Sequence, residues 1–82
     1  MWYVYILLCE DKSLYTGVSN NLEKRFSDHI NGKGGRYTRS HKPIEIVYCE
    51  QTASQSEALK REIEIKSWKR EKKIAKLNIK PL

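Results

Sequence analysis

Arg25 and His29 stand four residues apart in NNLEKRFSDHIN, the spacing that puts two side chains on one face of a helix. An arginine fork suits a phosphate or a developing oxyanion. A histidine beside it donates a hydrogen bond or moves a proton. The plainer alternative is an edge arginine that snorkels to water next to a boundary histidine. Glu62, in EALKREIEIK, is a second signal. It falls among Ala58, Leu59, Ile63 and Ile65, on what reads as an apolar arc, where a carboxylate must be paired, neutral or bound to a metal. A hard divalent cation often takes one carboxylate plus substrate phosphate and water. An ion pair with Lys66, four residues on, is the alternative. Tyr5 and Tyr15 are a third signal. Across a hairpin they form either a cross-strand aromatic pair or phenols whose usual pKa of about 10 a nearby cation would lower. Gly17 marks a bulge or a close backbone approach.

These residues need elements to hold them. Tyr3 to Cys9 alternates Val4, Ile6 and Leu8 with Tyr3, Tyr5 and Leu7, apolar on both faces, as expected of a central strand. The turn-prone Glu10-Asp11-Lys12-Ser13 leads to a second strand over Leu14 to Val18, making an antiparallel hairpin. Ser19 or Asn20 is expected to cap a helix from about Asn21 to Asn31, with Glu23 completing a capping box with Asn20. Leu22, Phe26 and Ile30 give that helix a narrow apolar stripe, with Arg25 and His29 at its edge, and Gly32 ends it. The segment GKGGRYTRSHKP is expected to be a mobile loop, too polar and glycine-rich for the core. Ile44 to Cys49 reads as a third strand. A helix capped by Ser54 or Ser56 reaches about Trp68, burying Ala58, Leu59, Ile63 and Ile65. A short helix from about Arg70 to Leu77 turns Ile74 and Leu77 inward. The expected fold is α+β, a small three-stranded antiparallel sheet flanked by helices in the order β-β-α-β-α-α.

The 82 residues suit a single domain, 1–82, with a thin core. Cys9 and Cys49 lie in strand-like runs without zinc spacing, and are expected to be buried free thiols in a reducing compartment. MWYVYILLCE lacks a basic lead and a cleavage site, and is far too short for a membrane span, so a cytoplasmic protein is expected. The net charge of +6 is unevenly spread: acidic and basic residues balance up to Leu59, and the surplus lies from Lys60 onward. Such a surface attracts polyanions, nucleic acid first among them, although a solvated lysine-rich helix face gives the same composition.

Taken in order, these residues form a pattern. Tyr3-Val4-Tyr5 and Tyr15-Thr16-Gly17 are followed by Arg25 ten residues past Tyr15, His29 four later, and Glu62 on the later long helix. The chain resembles the GIY-YIG nuclease domain over nearly its whole length. YTGVSNNLEKRFSDH and GGRYTR look like the small stand-alone bacterial predicted endonucleases (the UPF0213-like group), themselves similar to the catalytic domain of structure-specific nucleases. Two letters depart: the family's first glycine is Tyr3 here, and its isoleucine after the second tyrosine is Thr16.

The resemblance implies metal-assisted hydrolysis of DNA phosphodiester bonds, in repair or recombination, on branched or nicked DNA. It casts Tyr5 as base or water-positioning phenol and Tyr15 as its partner at the phosphate. Arg25 would stabilise charge, His29 would donate a hydrogen bond or shuttle a proton, and Glu62 would hold one Mg²⁺ or Mn²⁺. Tyr3 and Gly17 belong to the structural motif. Lys33, Arg36, Tyr37, Arg39 and Lys42 would hold the nucleic-acid backbone. No small-molecule cofactor is implied. Asn78 is the nearest counterpart to a late asparagine that some members carry. The alternative within the same fold is a nucleic-acid-binding module with little or no turnover.

Overall fold

The computed structural model describes residues 1–79. β1 (Trp2–Cys9) and β2 (Leu14–Ser19) form a hairpin, followed by α1 (Leu22–Ile30), α2 (Arg36–Ser40), β3 (Pro43–Thr52), α3 (Gln55–Lys66) and α4 (Arg70–Lys76). The sheet is antiparallel in the order β2-β1-β3, so β1 is central. Its apolar residues on both faces explain that position: Val4, Tyr5, Ile6 and Leu7 are all buried. The hairpin turn places Lys12 in the left-handed region, at φ 70°, and closes with the Cys9 amide donating to the Ser13 carbonyl at 3.0 Å.

Strand alternation divides β1 between two environments. Val4 and Ile6 face α3 and α4, in a core with Ala58, Ile65 and Ile79, flanked by Trp2, Leu14, Val18, Val47, Trp68 and Leu77. Burying each large aliphatic side chain there contributes about 1.5–3 kcal/mol. Tyr5 faces the other way, toward α1 and the segment that follows it. Trp68 is flanked by two cations, with Arg61 5.3 Å and Lys72 5.2 Å from its ring.

Several sequence expectations change in detail. Ser19 is the last residue of β2, and its hydroxyl accepts from the Asn21 amide at 3.0 Å. The α1 cap is therefore Asn21, whose Oδ1 accepts from the Lys24 amide, and not Ser19 or Asn20. Ser54 caps α3, accepting from the Glu57 amide, while Glu57 accepts from the Ala53 amide. On α3 the sheet takes the line of Ala58, Glu62 and Ile65. Leu59 and Ile63 lie on the adjacent line and are 43% and 67% exposed. Cys9 is buried as expected but Cys49 is exposed, because it lies on the uncovered part of β3 opposite Tyr5.

The expected mobile loop holds the short helix α2, and Gly34, Thr38 and Pro43 within it are buried. Asn78 takes a left-handed φ of 54°, and the Ile79 amide donates to the Ile74 carbonyl at 3.0 Å. It serves as the terminator of α4 and is exposed. Among the described residues, no helix is long and apolar enough to cross a membrane.

Candidate active site

The hairpin register brings the first tyrosine onto the glycine. Tyr5 pairs with Gly17, and Leu7 with Tyr15, so Tyr5, Gly17 and Tyr15 share one sheet face. The Tyr5 ring and hydroxyl occupy the space a Cβ at Gly17 would need. Glycine is thus required by close approach at this position. The Tyr5 and Tyr15 rings are 6.4 Å apart and tilted by 45°.

α1 lays His29 over this pair. His29 is the one fully buried residue of α1, whereas Ile30 is exposed. The helical wheel puts His29 at the edge of the apolar stripe, but the helix rolls so that the imidazole, not Ile30, meets the sheet. Its Nε2 lies 2.9 Å from the Tyr5 hydroxyl and its Nδ1 2.7 Å from Thr38 Oγ1. In one tautomer Tyr5 donates to Nε2 and Nδ1–H donates to Thr38; in the other both bonds reverse. Either way the buried ring is satisfied at both nitrogens. The His29 ring also fills the space of a Cβ at Gly34. One turn earlier, Arg25 donates to the Gly34 carbonyl at 2.9 Å. Arg25 and His29 together pin the segment that carries Thr38.

The electrostatics follow from burial and from Arg25. Burial pushes the Tyr5 phenol up to about 12, although the Arg25 guanidinium beside it pulls the other way, and Tyr15 and Glu62 add to the rise. Burial, then Arg25, holds the His29 imidazole below its ordinary value. For Arg25 burial alone would favour the neutral form, but Tyr5, Tyr15 and Asp28 together outweigh it and the guanidinium is held above its ordinary value. At neutral pH the cluster is a protonated phenol, a neutral imidazole and a fixed cation.

Glu62 sits on the sheet-facing line of α3, 19% exposed at its side chain, with Lys66 Nζ 3.5 Å away. The same Lys66 ammonium lies 6.0 Å from the Tyr15 ring centre. The ion pair is therefore present, and Glu62 still reaches the field of Tyr5. No group of three or more His, Cys, Asp or Glu side chains converges among the described residues. The donor set fits only a cation content with one protein carboxylate, its remaining ligands being water and phosphate oxygens.

Tyr37 stacks on Tyr15 at 5.5 Å. Lys33, Arg36, Arg39 and Lys42 are all exposed around it. Tyr3 is half-buried, pairs with Ser19 and lines a shallow groove with Asn20, Asn21, Leu22 and Glu23, apart from the hydrogen-bonded cluster. Sequence reasoning missed Thr38, Gly34 and His41. The double glycine Gly34-Gly35 was the available signal for a close approach, and nothing in the sequence singles out Thr38.

The element order β-β-α-β-α-α around a three-stranded antiparallel sheet is that of a small α+β domain. Residues 1–78 match the GIY-YIG catalytic domain, and the chain belongs to that family. It is 50% identical over 72 residues, 88% of each chain, to the UPF0213 protein of Staphylococcus saprophyticus subsp. saprophyticus. It is 48% identical over 82 residues to that of Clostridium perfringens, covering 88% of the relative. The solution NMR structure of a UPF0213 protein from Bacillus halodurans is similar at 39% identity and a TM-score of 0.60, covering 95% of this chain and 84% of that one.

Proposed function

We propose that the chain is a metal-dependent DNA endonuclease that hydrolyses phosphodiester bonds within this one domain, in repair or recombination. The observation that carries the reading is the buried Tyr5–His29 hydrogen bond placed beside the Arg25 guanidinium. A neutral imidazole on Nε2 is a ready acceptor for the phenolic proton. Tyr5 Oη orients the attacking water and takes up its proton while giving its own to His29 Nε2, so that a hydroxide equivalent reaches the phosphorus and the imidazole ends protonated. Thr38 can accept from Nδ1–H, the tautomer that leaves Nε2 open to that proton. Arg25 stabilises the partial charge on Tyr5 Oη during that transfer and the charge that grows on the phosphate. Tyr15 positions the phosphate next to Tyr5. Glu62 would hold one Mg²⁺ or Mn²⁺, which when bound supplies Lewis-acid stabilisation of the phosphoryl oxygens. Lys33, Arg36, Tyr37, Arg39 and Lys42 hold the strand through its backbone.

Incubation with supercoiled plasmid and with flapped DNA, in Mg²⁺ or in EDTA, tests this. Metal-dependent nicking lost in both Arg25→Ala and Glu62→Gln supports it. Equal cleavage by wild type and both variants overturns it. A second reading, a binding module without turnover, is favoured by one observation: Tyr5 keeps its proton up to about 12 while Lys66 engages Glu62. Salt-sensitive DNA binding without metal-dependent nicking would establish that reading.

A further inference from the structure

The rings do not stop at the Tyr5–His29 pair. Tyr15 lies 5.2 Å from His29, Tyr37 stacks on Tyr15 at 5.5 Å, and His41 stacks on Tyr37 at 4.1 Å with 8° between the planes. The row begins at buried Tyr5 and ends at His41, whose side chain is 35% exposed. The His41 ring is also fixed edge-on. Its Nδ1 lies 3.0 Å from the Tyr37 carbonyl, and its Nε2 3.5 Å from Asp11 Oδ2. Both anchors grip the rim of the ring, and Tyr37 covers one of its faces. The other face is held in place before any ligand arrives.

Apart from Asp11 at the edge of the ring, the segment around it is of one sign. From Gly32 to Ile44 there is no acidic residue, while Lys33, Arg36, Arg39 and Lys42 are basic and exposed. A pinned flat ring among exposed cations suits a polyanion that also carries flat rings. Aromatic side chains receive unpaired bases by stacking, and basic residues hold the connecting phosphates. A paired base inside a duplex has both faces covered by its neighbours and offers none to such a ring.

We propose that the outer face of His41 is a stacking subsite for an unpaired nucleobase of a DNA strand whose phosphate lies at the Tyr5–Arg25 cluster. This rests on the nucleic-acid reading of that cluster and adds what the cluster alone lacks, a preference for DNA with unstacked bases at the cleaved position. The row of rings from His29 to His41 sets how far the stacked base lies from the phosphate.

The test is fluorescence anisotropy in EDTA, with a short labelled oligothymidine, the same length of strand bearing abasic sites, and a blunt duplex. Wild type should bind the abasic strand at least about fivefold more weakly than the oligothymidine. His41→Ala should weaken oligothymidine binding at least about fivefold and leave the abasic strand and the duplex within about twofold. His41→Phe should restore the loss. Equal wild-type affinity for abasic and base-bearing strands overturns the subsite, and that comparison needs no variant to fold. Equal loss on duplex and single strand in His41→Ala overturns it as well, since His41 would then only shape the segment. Failure here with metal-dependent nicking intact leaves the nuclease reading standing. Base-dependent binding without nicking leaves the subsite on a binding module.

Discussion

The two faces of β1 are buried to the same degree and built on opposite chemistry. Toward α3, Val4 and Ile6 meet Ala58, Ile65 and Ile79, and the buried polar side chain there is Thr16, which pairs with Ile6 and whose hydroxyl has no partner among the described residues. Toward α1, the neighbouring residue Tyr5 meets His29, and the imidazole is satisfied by Tyr5 on one side and Thr38 on the other. An apolar face tolerates change in proportion to volume lost. A polar buried face is held by hydrogen bonds whose loss strands a partner, so it is costly to alter and costly to keep. That such a face persists in a domain with so thin a core implies use. The apolar face makes most of the fold, and the Tyr5 face carries most of the proposed chemistry, with Glu62 reaching toward it from α3.

Substitutions on the two faces should therefore separate stability from activity. Ile65→Ala opens a cavity on the apolar face and should lower stability by about 2–5 kcal/mol, read by denaturant unfolding. The activity of the folded fraction should be little changed. Arg25→Ala should do the reverse. Loss of one charge-stabilising donor reduces turnover by about 10²–10³-fold, while loss of its hydrogen bond to the Gly34 carbonyl should cost only about 1 kcal/mol of stability. If Ile65→Ala abolishes turnover in fully folded protein, the division between the faces fails.

Gly17→Ala sharpens the comparison, because it strikes the polar face without touching a chemical group. The added methyl meets the Tyr5 ring, and overpacking of this kind costs about 1–3 kcal/mol. It should displace Tyr5 and so lower activity and stability together.

A smaller effect concerns pH. His29 is held below its ordinary value by burial, so the folded state favours the neutral ring. The unfolded chain takes up the proton first, near a pH of about 6.5. Stability is thus fully present above that value, falls as pH drops through it, and levels off below the folded-state value. Thermal melts between neutral and acidic pH should show this loss, and His29→Gln should flatten it. A slope unchanged in the variant would assign it to other groups. Smallest of all, Lys66→Ala breaks a half-exposed ion pair and should cost no more than about 1 kcal/mol. It should leave Glu62 freer to respond to added Mg²⁺, visible as larger shifts of its NMR signals.

The same division governs how much the sequence discloses. Strands, their order and the helices α1, α3 and α4 are legible from alternation, caps and apolar spacing, because those patterns repeat. Tyr5, Tyr15 and Gly17 are brought to one face as their spacing implies, since a hairpin register fixes it. The depth of His29 is not legible. Leu22, Phe26 and Ile30 define a stripe that leaves it at the rim, and only the hydrogen bonds to Tyr5 and Thr38 make its burial tolerable. Likewise α2 is a five-residue polar helix beside a double glycine, with no stripe to betray it. What holds it is Arg25 on the Gly34 carbonyl and His29 on Thr38, contacts nine residues apart in sequence that no local pattern encodes. Leu59 and Ile63 mislead for the opposite reason: apolar residues on a short helix need not be the ones the sheet selects.

On the proposed reading, the Tyr5 hydroxyl and His29 form a chemical unit and not merely a satisfied core contact. Tyr5→Phe removes one oxygen and keeps the ring over Gly17. The rate of cleavage of flapped DNA in Mg²⁺, measured beside DNA affinity and the melting curve, decides the matter. The rate should fall at least about 10²-fold, with affinity unchanged and the protein folded. A Tyr5→Phe variant that cleaves as fast as wild type would contradict that reading.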